Sequence, residues 1–423
     1  MRTLTDRGAR ASTRRRLIYV GTLPPYPGGS AISGFQLLVG LARAGHTVRS
    51  LAPITPEADR AGDSFVVRYR ELGVTRFRVP YFETSPHTPA AEEYRRLEQE
   101  QIEEKLSLLI EREQPDILLM GRETFAWRVP DLAKRCALPC ILRIAGGFLT
   151  GIVDGNYPAP LVSQWLEAVH KIDLIVAQTA SVTASLAALG LNRTRIIPNG
   201  VDLRLFAPQP QDEALRRELG IDGDRIVVMH LSNLKPLKRA LDIVASAARA
   251  LKFNRRLVYV IVGDGFLRQA MEEACRSNAI AEHFRFVGWV EYSRVPAYLN
   301  LADLVVMPSD AEAQARVYLE TQACARTLLA SDIPGARHVI EDGETGLLFR
   351  KGDVEDLTAK TLQAAADAPL RSRIGSEARR RVMAHSLDDV VAAYAAAIEH
   401  VLENYRSRHD DGDWRSIRTI TSS

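Results

Sequence analysis

The stretch PSDAEAQARVYLETQACARTLLASDIPG, residues 308–335, carries two carboxylates, Glu312 and Glu320, eight positions apart. Two such groups around one ligand could share acid–base work. On a continuous helix, eight steps of about 100° leave the two side chains roughly 80° apart, so they would not share a face. The run ADLVVMPS just before them reads as a strand. This puts Glu312 in the loop after that strand and Glu320 one to two turns inside the next helix, RVYLETQACA. Both then face a ligand above the loop, each touching a different part of it. Taken alone, the local pattern favours two solvated surface glutamates, and the rest of the chain must say what they could hold.

A candidate ligand comes from HLSNLKPLKRALDIV, where Lys235, Lys238 and Arg239 gather just ahead of a helix start. Cations are disfavoured there by the helix dipole. They make sense if an anion such as a diphosphate sits between them, and a solvated charged turn is the alternative. PPYPGGSAISGF sets Gly28 and Gly29 between a strand and a helix, where free backbone N–H groups suit a phosphate. It lacks the GxGxxG spacing of a dinucleotide fingerprint, and a plain βα turn fits equally well. Gly263-Asp264-Gly265 is a third turn of this kind and is weak by itself.

The elements that must carry these groups alternate short β-branched runs with longer periodic segments. Strands are expected at 16–22, just after the helix over 31–44, at DILLMG, and at 140–146 and 173–179. The alternation restarts after PNGVDLRLFAPQPQD, with strands expected at 225–232, 256–265, 283–289, 302–309 and 326–332. The expected organisation is a basic tail (1–15), one Rossmann-like domain (16–205), a second (213–385), a terminal helix (386–405) and a tail (406–423). Two open α/β sheets facing each other across a cleft would place ligands beyond the carboxyl ends of their strands.

Composition sets the outer limits. The 423 residues, 46% hydrophobic and 25% charged, fit two globular domains. A formal charge of +3, with basic and acidic residues intermixed, gives no nucleic-acid signature. Four cysteines form neither a disulfide framework nor a zinc site, and they fit buried thiols in a reducing compartment. No apolar run approaches bilayer length, and no signal-peptide core follows the basic start. A cytoplasmic protein is expected, with peripheral membrane contact through the arginine-rich tail as an option.

In this order, the pieces resemble the retaining nucleotide-sugar-dependent glycosyltransferases of family 4, with their two-domain GT-B fold. The features that carry the resemblance are IIPNGVD, the lysine-bearing loop at 233–239, GDG followed by FVGWV, and Glu312–Glu320 followed by SDIPGARHVIEDGETGLLF. The resemblance implies that Gly28 and Gly29 lie beside the donor diphosphate and the reacting sugar. The family's Arg and Lys clamp falls on Asn233 and Lys238, with Lys235 and Arg239 as neighbouring cations. Glu312 would sit at the donor sugar, with Gln314, Ala315 and Arg316 in its loop. Glu320 would bind the ribose, with Gly263 and Asp264 on the nucleoside side. The terminal helix would cross back onto the first domain.

The chain also departs from the family. Glu-Gly-Phe-Gly becomes Glu312-Ala313-Gln314-Ala315, and Arg316 follows. The usual histidine position is Ala145, beside Gly146, with Arg143 two residues earlier on the same strand face as a substitute polar contact. The activity implied is glycosyl transfer from a nucleoside-diphosphate sugar to an acceptor hydroxyl of a glycan, lipid-linked sugar or small metabolite. No cofactor and no essential metal are expected, because lysines take the metal's role; oligomeric state is not readable. The rivals are an epimerase or phosphorylase on the same architecture, and a non-catalytic nucleotide-sugar-binding subunit. A Rossmann dehydrogenase is the poorest of the alternatives.

Overall fold

A computed structural model describes residues 14–26, 28–54, 64–78, 89–144 and 147–409. Its chain divides into two compact units, one formed by residues up to Ile197 together with those from Val391 onward, the other by Pro198–Val390.

The first unit holds strands β1 (Arg16–Val20), β2 (Thr47–Ile54), β3 (Val74–Arg78), β4 (Ile117–Met120), β5 (Cys140–Arg143), β6 (Leu174–Ala177) and β7 (Thr194–Ile196). They pair in the order β3-β2-β1-β4-β5-β6-β7, every pairing parallel. The second unit holds β8 (Ile226–Leu231), β9 (Leu257–Val262), β10 (Phe284–Gly288), β11 (Leu304–Met307), β12 (Thr327–Ser331) and β13 (Leu347–Phe349). Their order is β10-β9-β8-β11-β12-β13, again all parallel. Both are Rossmann-like α/β domains, the fold class read from the sequence.

The interior strands are continuous apolar runs because helices cover both faces of a parallel sheet. ILLM, LIVA and LVYVIV are buried at every position. The strands β3, β7 and β13 were not anticipated. Edge or near-edge strands of three to five residues, β3 and β7 also half-exposed and polar, they lack the apolar run that marks the others.

Several boundaries differ from the sequence-based ones. The basic tail does not extend through residue 15, because Arg15 makes a two-pronged ion pair with Glu399, Nε to Oε1 at 2.8 Å and Nη2 to Oε2 at 2.6 Å. Such a fork holds both side chains in one plane and outlasts ordinary surface pairs. The polar, proline-bearing segment after residue 197 is no linker. Its Val201 and Phe206 are fully buried in the second unit's core, and the hydrophobic contact outweighs the loop-like composition around them. The terminal helix runs from Leu387 to His409, past the 405 expected, and Arg408 near its end meets Asp173 at 2.8 Å. From Val391 onward it belongs to the first unit, burying Val391, Tyr394, Ile398, Val401 and Leu402. The segments 1–13 and 410–423 lie outside the described residues.

Candidate functional site

In an open α/β sheet, a crevice forms where neighbouring strands continue to opposite sides, at their carboxyl ends. In the second unit that point lies between β8 and β11. The loops leaving these strands are 232–239 and 308–315, and the loop 263–267 leaves the adjacent β9. Backbone hydrogen bonds knit all three together. Asp310 N–H donates to Leu237 O at 2.9 Å, Leu234 N–H to Asp264 O at 2.9 Å, and Leu267 N–H to Leu234 O at 2.8 Å. Gly263, at φ 113°, makes this approach possible, because a Cβ there would stand 1.9 Å from the Ser232 carbonyl oxygen.

At the centre of this frame, Lys238 Nζ meets Glu312 Oε1 at 2.5 Å, and Ser309 Oγ donates to the same oxygen at 2.8 Å. Lys238 closes a short 3₁₀ turn, Pro236–Lys238, and Glu312 sits in the loop after β11. Both side chains keep a solvent-facing margin, 18% and 12% exposed, so an incoming ligand can reach them. Tyr318, fully buried on the next helix, has its hydroxyl pKa pushed well up, first by burial and then by the charge of Glu312. Beneath the loop, buried His230 contacts Val306 O through Nδ1 at 2.8 Å and Ser232 Oγ through Nε2 at 2.7 Å. Burial, reinforced by the charge of Lys238 against the opposing Val306 hydrogen bond, lowers its pKa to about 4, so it is neutral near pH 7.

The other cations are arranged differently. Arg239 is bound to Asp242 at 2.7 Å and lies 3.5 Å from Asp310, and the Asp242 hydrogen bond raises its pKa. Lys235 is exposed at the start of the 3₁₀ turn, and Asn233 is half-buried ahead of it. Exposed Asp264 pairs with Arg268 at 2.9 Å.

The rest of the Glu312 loop is tied down on two sides. Gln314 Oε1 accepts the Asn199 backbone N–H at 2.6 Å, and the Gln314 carbonyl accepts Asn199 Nδ2 at 2.9 Å. Gly335 lies against the loop so closely that a Cβ there would stand 1.9 Å from the Glu312 carbonyl oxygen. Ala315 caps the helix Arg316–Ala323, and Glu320 lies on the second turn of that helix. Glu320 Oε1 accepts from Tyr292 Oη at 2.8 Å and from Arg316 Nη2 at 2.9 Å, while Arg316 Nη2 also donates to Tyr292 Oη at 2.5 Å. Glu312 and Glu320 thus occupy separate polar clusters on one loop–helix unit.

In the first unit the equivalent switch point lies between β1 and β4. Gly28, at φ 119°, is the N-cap of the helix Gly29–Arg43, with Gly29 exposed at its start. Thr22 and Ser30 hydroxyls stand 3.3 Å apart nearby. Arg143 ends β5 almost fully buried, and its charge opposes the upward push of burial on the Tyr394 and Tyr19 hydroxyls. Ala145 and Gly146 lie outside the described residues. Sequence reasoning missed Ser309, Tyr292, Asn199, Tyr318 and Gly335 as site residues. Asn199 and Gly335 stood inside quoted motifs, while Tyr292 carried no local signal at all. Among the described residues, no group of three or more His, Cys, Asp or Glu is placed to hold a metal ion.

Comparison with known proteins bears on both units. Residues 27–205 match the family described as Glycosyltransferase Family 4, and residues 211–381 match Glycosyl transferases group 1. A D-inositol 3-phosphate glycosyltransferase of Geodermatophilus obscurus is 32% identical over 251 residues, covering 56% of this chain and 55% of the relative. A 2-deoxystreptamine N-acetyl-D-glucosaminyltransferase of Streptomyces fradiae is 30% identical over 245 residues, 57% of this chain and 56% of the relative. The chain therefore spans little more than half the length of these two curated relatives. The crystal structure of Anabaena HepE in complex with UDP-glucose shares the fold, with a TM-score of 0.75 at 17% identity over 92% of this chain and 100% of that one. With both Rossmann-like units matched in sequence and the whole architecture matched in structure, the chain belongs to the family-4-like glycosyltransferases of GT-B fold.

Proposed function

We propose that the chain transfers a glycosyl group from a nucleoside-diphosphate sugar to an acceptor hydroxyl, with retention at the anomeric carbon. The observation that carries this reading is the Lys238–Glu312 pair at the switch point of the second sheet. The demanding step in such a transfer is charge build-up on a departing diphosphate while the sugar becomes oxocarbenium-like. Lys238, supported by exposed Lys235, takes that charge, and Arg239 adds to the local positive potential from its anchor on Asp242. As Lys238 turns to the phosphates, Glu312 is released to accept hydroxyls of the donor sugar, still steadied by Ser309. Gln314 and Ala315 hold the loop in place, and Gly28 and Gly29 offer backbone N–H groups at a helix start. Glu320 serves the ribose, with Gly263, Asp264 and Asn233 on the surrounding loops. The lysines stand in for a metal ion in this scheme.

UDP is the first donor nucleotide to test, since HepE was solved with UDP-glucose. For the acceptor, a small polyol comes before a glycan or lipid-linked sugar, because the two curated relatives are named for D-inositol 3-phosphate and 2-deoxystreptamine. The acceptor is assigned to the first unit, where half-buried Glu98, its pKa pushed up to about 7 by burial against the opposing charge of Arg122, adds a titratable group. A cytoplasmic setting agrees with four cysteines that form no disulfide, three of them buried. Among the described residues no helix is long and apolar enough to cross a membrane. Peripheral membrane contact is assigned in this reading to the arginine-rich first residues. A thermal-shift screen against UDP, GDP, ADP and dTDP, then the matching sugars with product analysis, tests the reading. A new glycoside plus free nucleoside diphosphate is expected. An isomeric nucleotide sugar would mean an epimerase, and binding without turnover a non-catalytic subunit.

A further inference from the structure

Arg316 is poorly placed as a helix residue. It opens the helix Arg316–Ala323, where the dipole opposes a cation, and its Glu320 partner lies four residues later, the less favourable order for an i,i+4 pair. The guanidinium is nevertheless sunk to 9% side-chain exposure and Glu320 to 5%. Burial works against the charge of Arg316, yet Tyr292 and Glu320 outweigh it and hold its pKa above the ordinary arginine value. Desolvating an ion pair in this orientation is a poor route to stability. Local rules broken together at one point mark a functional position more often than a structural one.

The hydrogen bonds show what remains available. Both bonds of the guanidinium use Nη2, toward Glu320 and Tyr292, and both bonds to Glu320 use Oε1. Among the described residues, Arg316 Nε and Nη1 and Glu320 Oε2 have no hydrogen-bond partner, and none of these atoms is sealed from solvent. The cluster therefore presents one carboxylate oxygen that accepts and a guanidinium edge that donates. A vicinal diol needs that combination, since each hydroxyl can donate to one group and accept from the other.

We propose that Arg316 is a second ribose-recognising residue, pairing its Nε–Nη1 edge with Glu320 Oε2 to hold the 2′,3′-diol of the donor nucleoside. The proposal rests on the donor reading given above. A site built to bond a hydroxyl rejects the analogue lacking it, because the buried protein group is left unpaired. The wild-type chain should then prefer a ribonucleoside diphosphate over its deoxy counterpart by roughly 10- to 100-fold in Kd.

The test is calorimetric titration with UDP, GDP and ADP, each beside its 2′-deoxy and 3′-deoxy analogues, for wild type, Arg316→Leu and Arg316→Lys. Lysine keeps a countercharge for Glu320 but lacks the planar edge, so it separates charge support from diol recognition even if the leucine variant folds poorly. Both variants are expected to lose most of the preference through weaker binding of the ribonucleotide, with at least one deoxy analogue bound nearly as before. Equal weakening of all three ligands, an unchanged ratio, or full restoration of the ratio by lysine overturns the Arg316 assignment alone. A wild type that binds none of the nucleoside diphosphates overturns the donor reading and this inference with it.

Discussion

The two units share a strand order at their switch points but build those points from opposite materials. In the second unit the crevice is charged and cross-tied, with Lys238 on Glu312, Arg239 on Asp242 and Asp310, and Arg316 on Glu320. In the first unit it is lined by glycine. A Cβ at Gly21, Gly34 or Gly121 would stand 2.5, 2.4 or 1.9 Å from an atom of the Tyr19 side chain, which is itself fully buried. One crevice is organised by ion pairs that a ligand can exchange, the other by steric fit around a single ring. This division sets a crevice able to exchange ion pairs with a polyanion in the second unit against one shaped by packing in the first.

That contrast can be broken most sharply at Lys238. Lys238→Ala should lower turnover by about 10²- to 10³-fold, because the cation is needed only when the leaving phosphate gains charge. Its thermal midpoint should stay near wild type, and steady-state rates beside a melting curve read both quantities. Unchanged kcat would remove the clamp from the scheme. A smaller effect comes from His230. Its folded pKa, near 4, lies below the ordinary 6.5, so the stability it contributes is complete above pH 6.5 and is lost as pH falls toward 4. The loss should approach about 3 kcal/mol, measured as a slope of unfolding free energy against pH that is absent in His230→Asn. The smallest change is expected in the glycine-lined crevice. Among the described residues the Tyr19 hydroxyl has no hydrogen-bond partner, so Tyr19→Phe should leave stability within ~1 kcal/mol of wild type or raise it. A loss of several kcal/mol on denaturation would show that the hydroxyl, and not the ring, organises that crevice.

Much of the fold could be read from the chain because parallel sheets announce themselves. Runs such as LIVA and LVVM are apolar on both faces and have few other stable homes. The short edge strands β3, β7 and β13 could not, since an edge needs no such run. The loop position of Glu312 and the helical position of Glu320 followed from their spacing and from the strand before them. Their partners did not. Ser309 and Tyr292 reach the glutamates across three and 28 residues, and only the second involves a distance that no local pattern could span. Arg316 was visible as a departure and was grouped with the Glu312 loop, but its contact with Glu320 was not legible, and its side chain lies on that residue. The packing of Gly335 on the Glu312 carbonyl depends on tertiary contact that a single sequence does not display.

The chain passes from one unit to the other twice, after Ile197 and after Val390. Val201 is bridged to Ser386, with Val201 N–H donating to His385 O at 3.0 Å and Leu387 N–H to Val201 O at 2.9 Å. The second unit is therefore an insertion whose two ends meet, and residues that complete the first unit follow it in the chain. Domains usually mature in the order in which they leave the ribosome. Here the unit that begins the chain takes Val391, Tyr394 and Glu399 from beyond the inserted one, so the last residues it packs are added after every residue of the inserted unit.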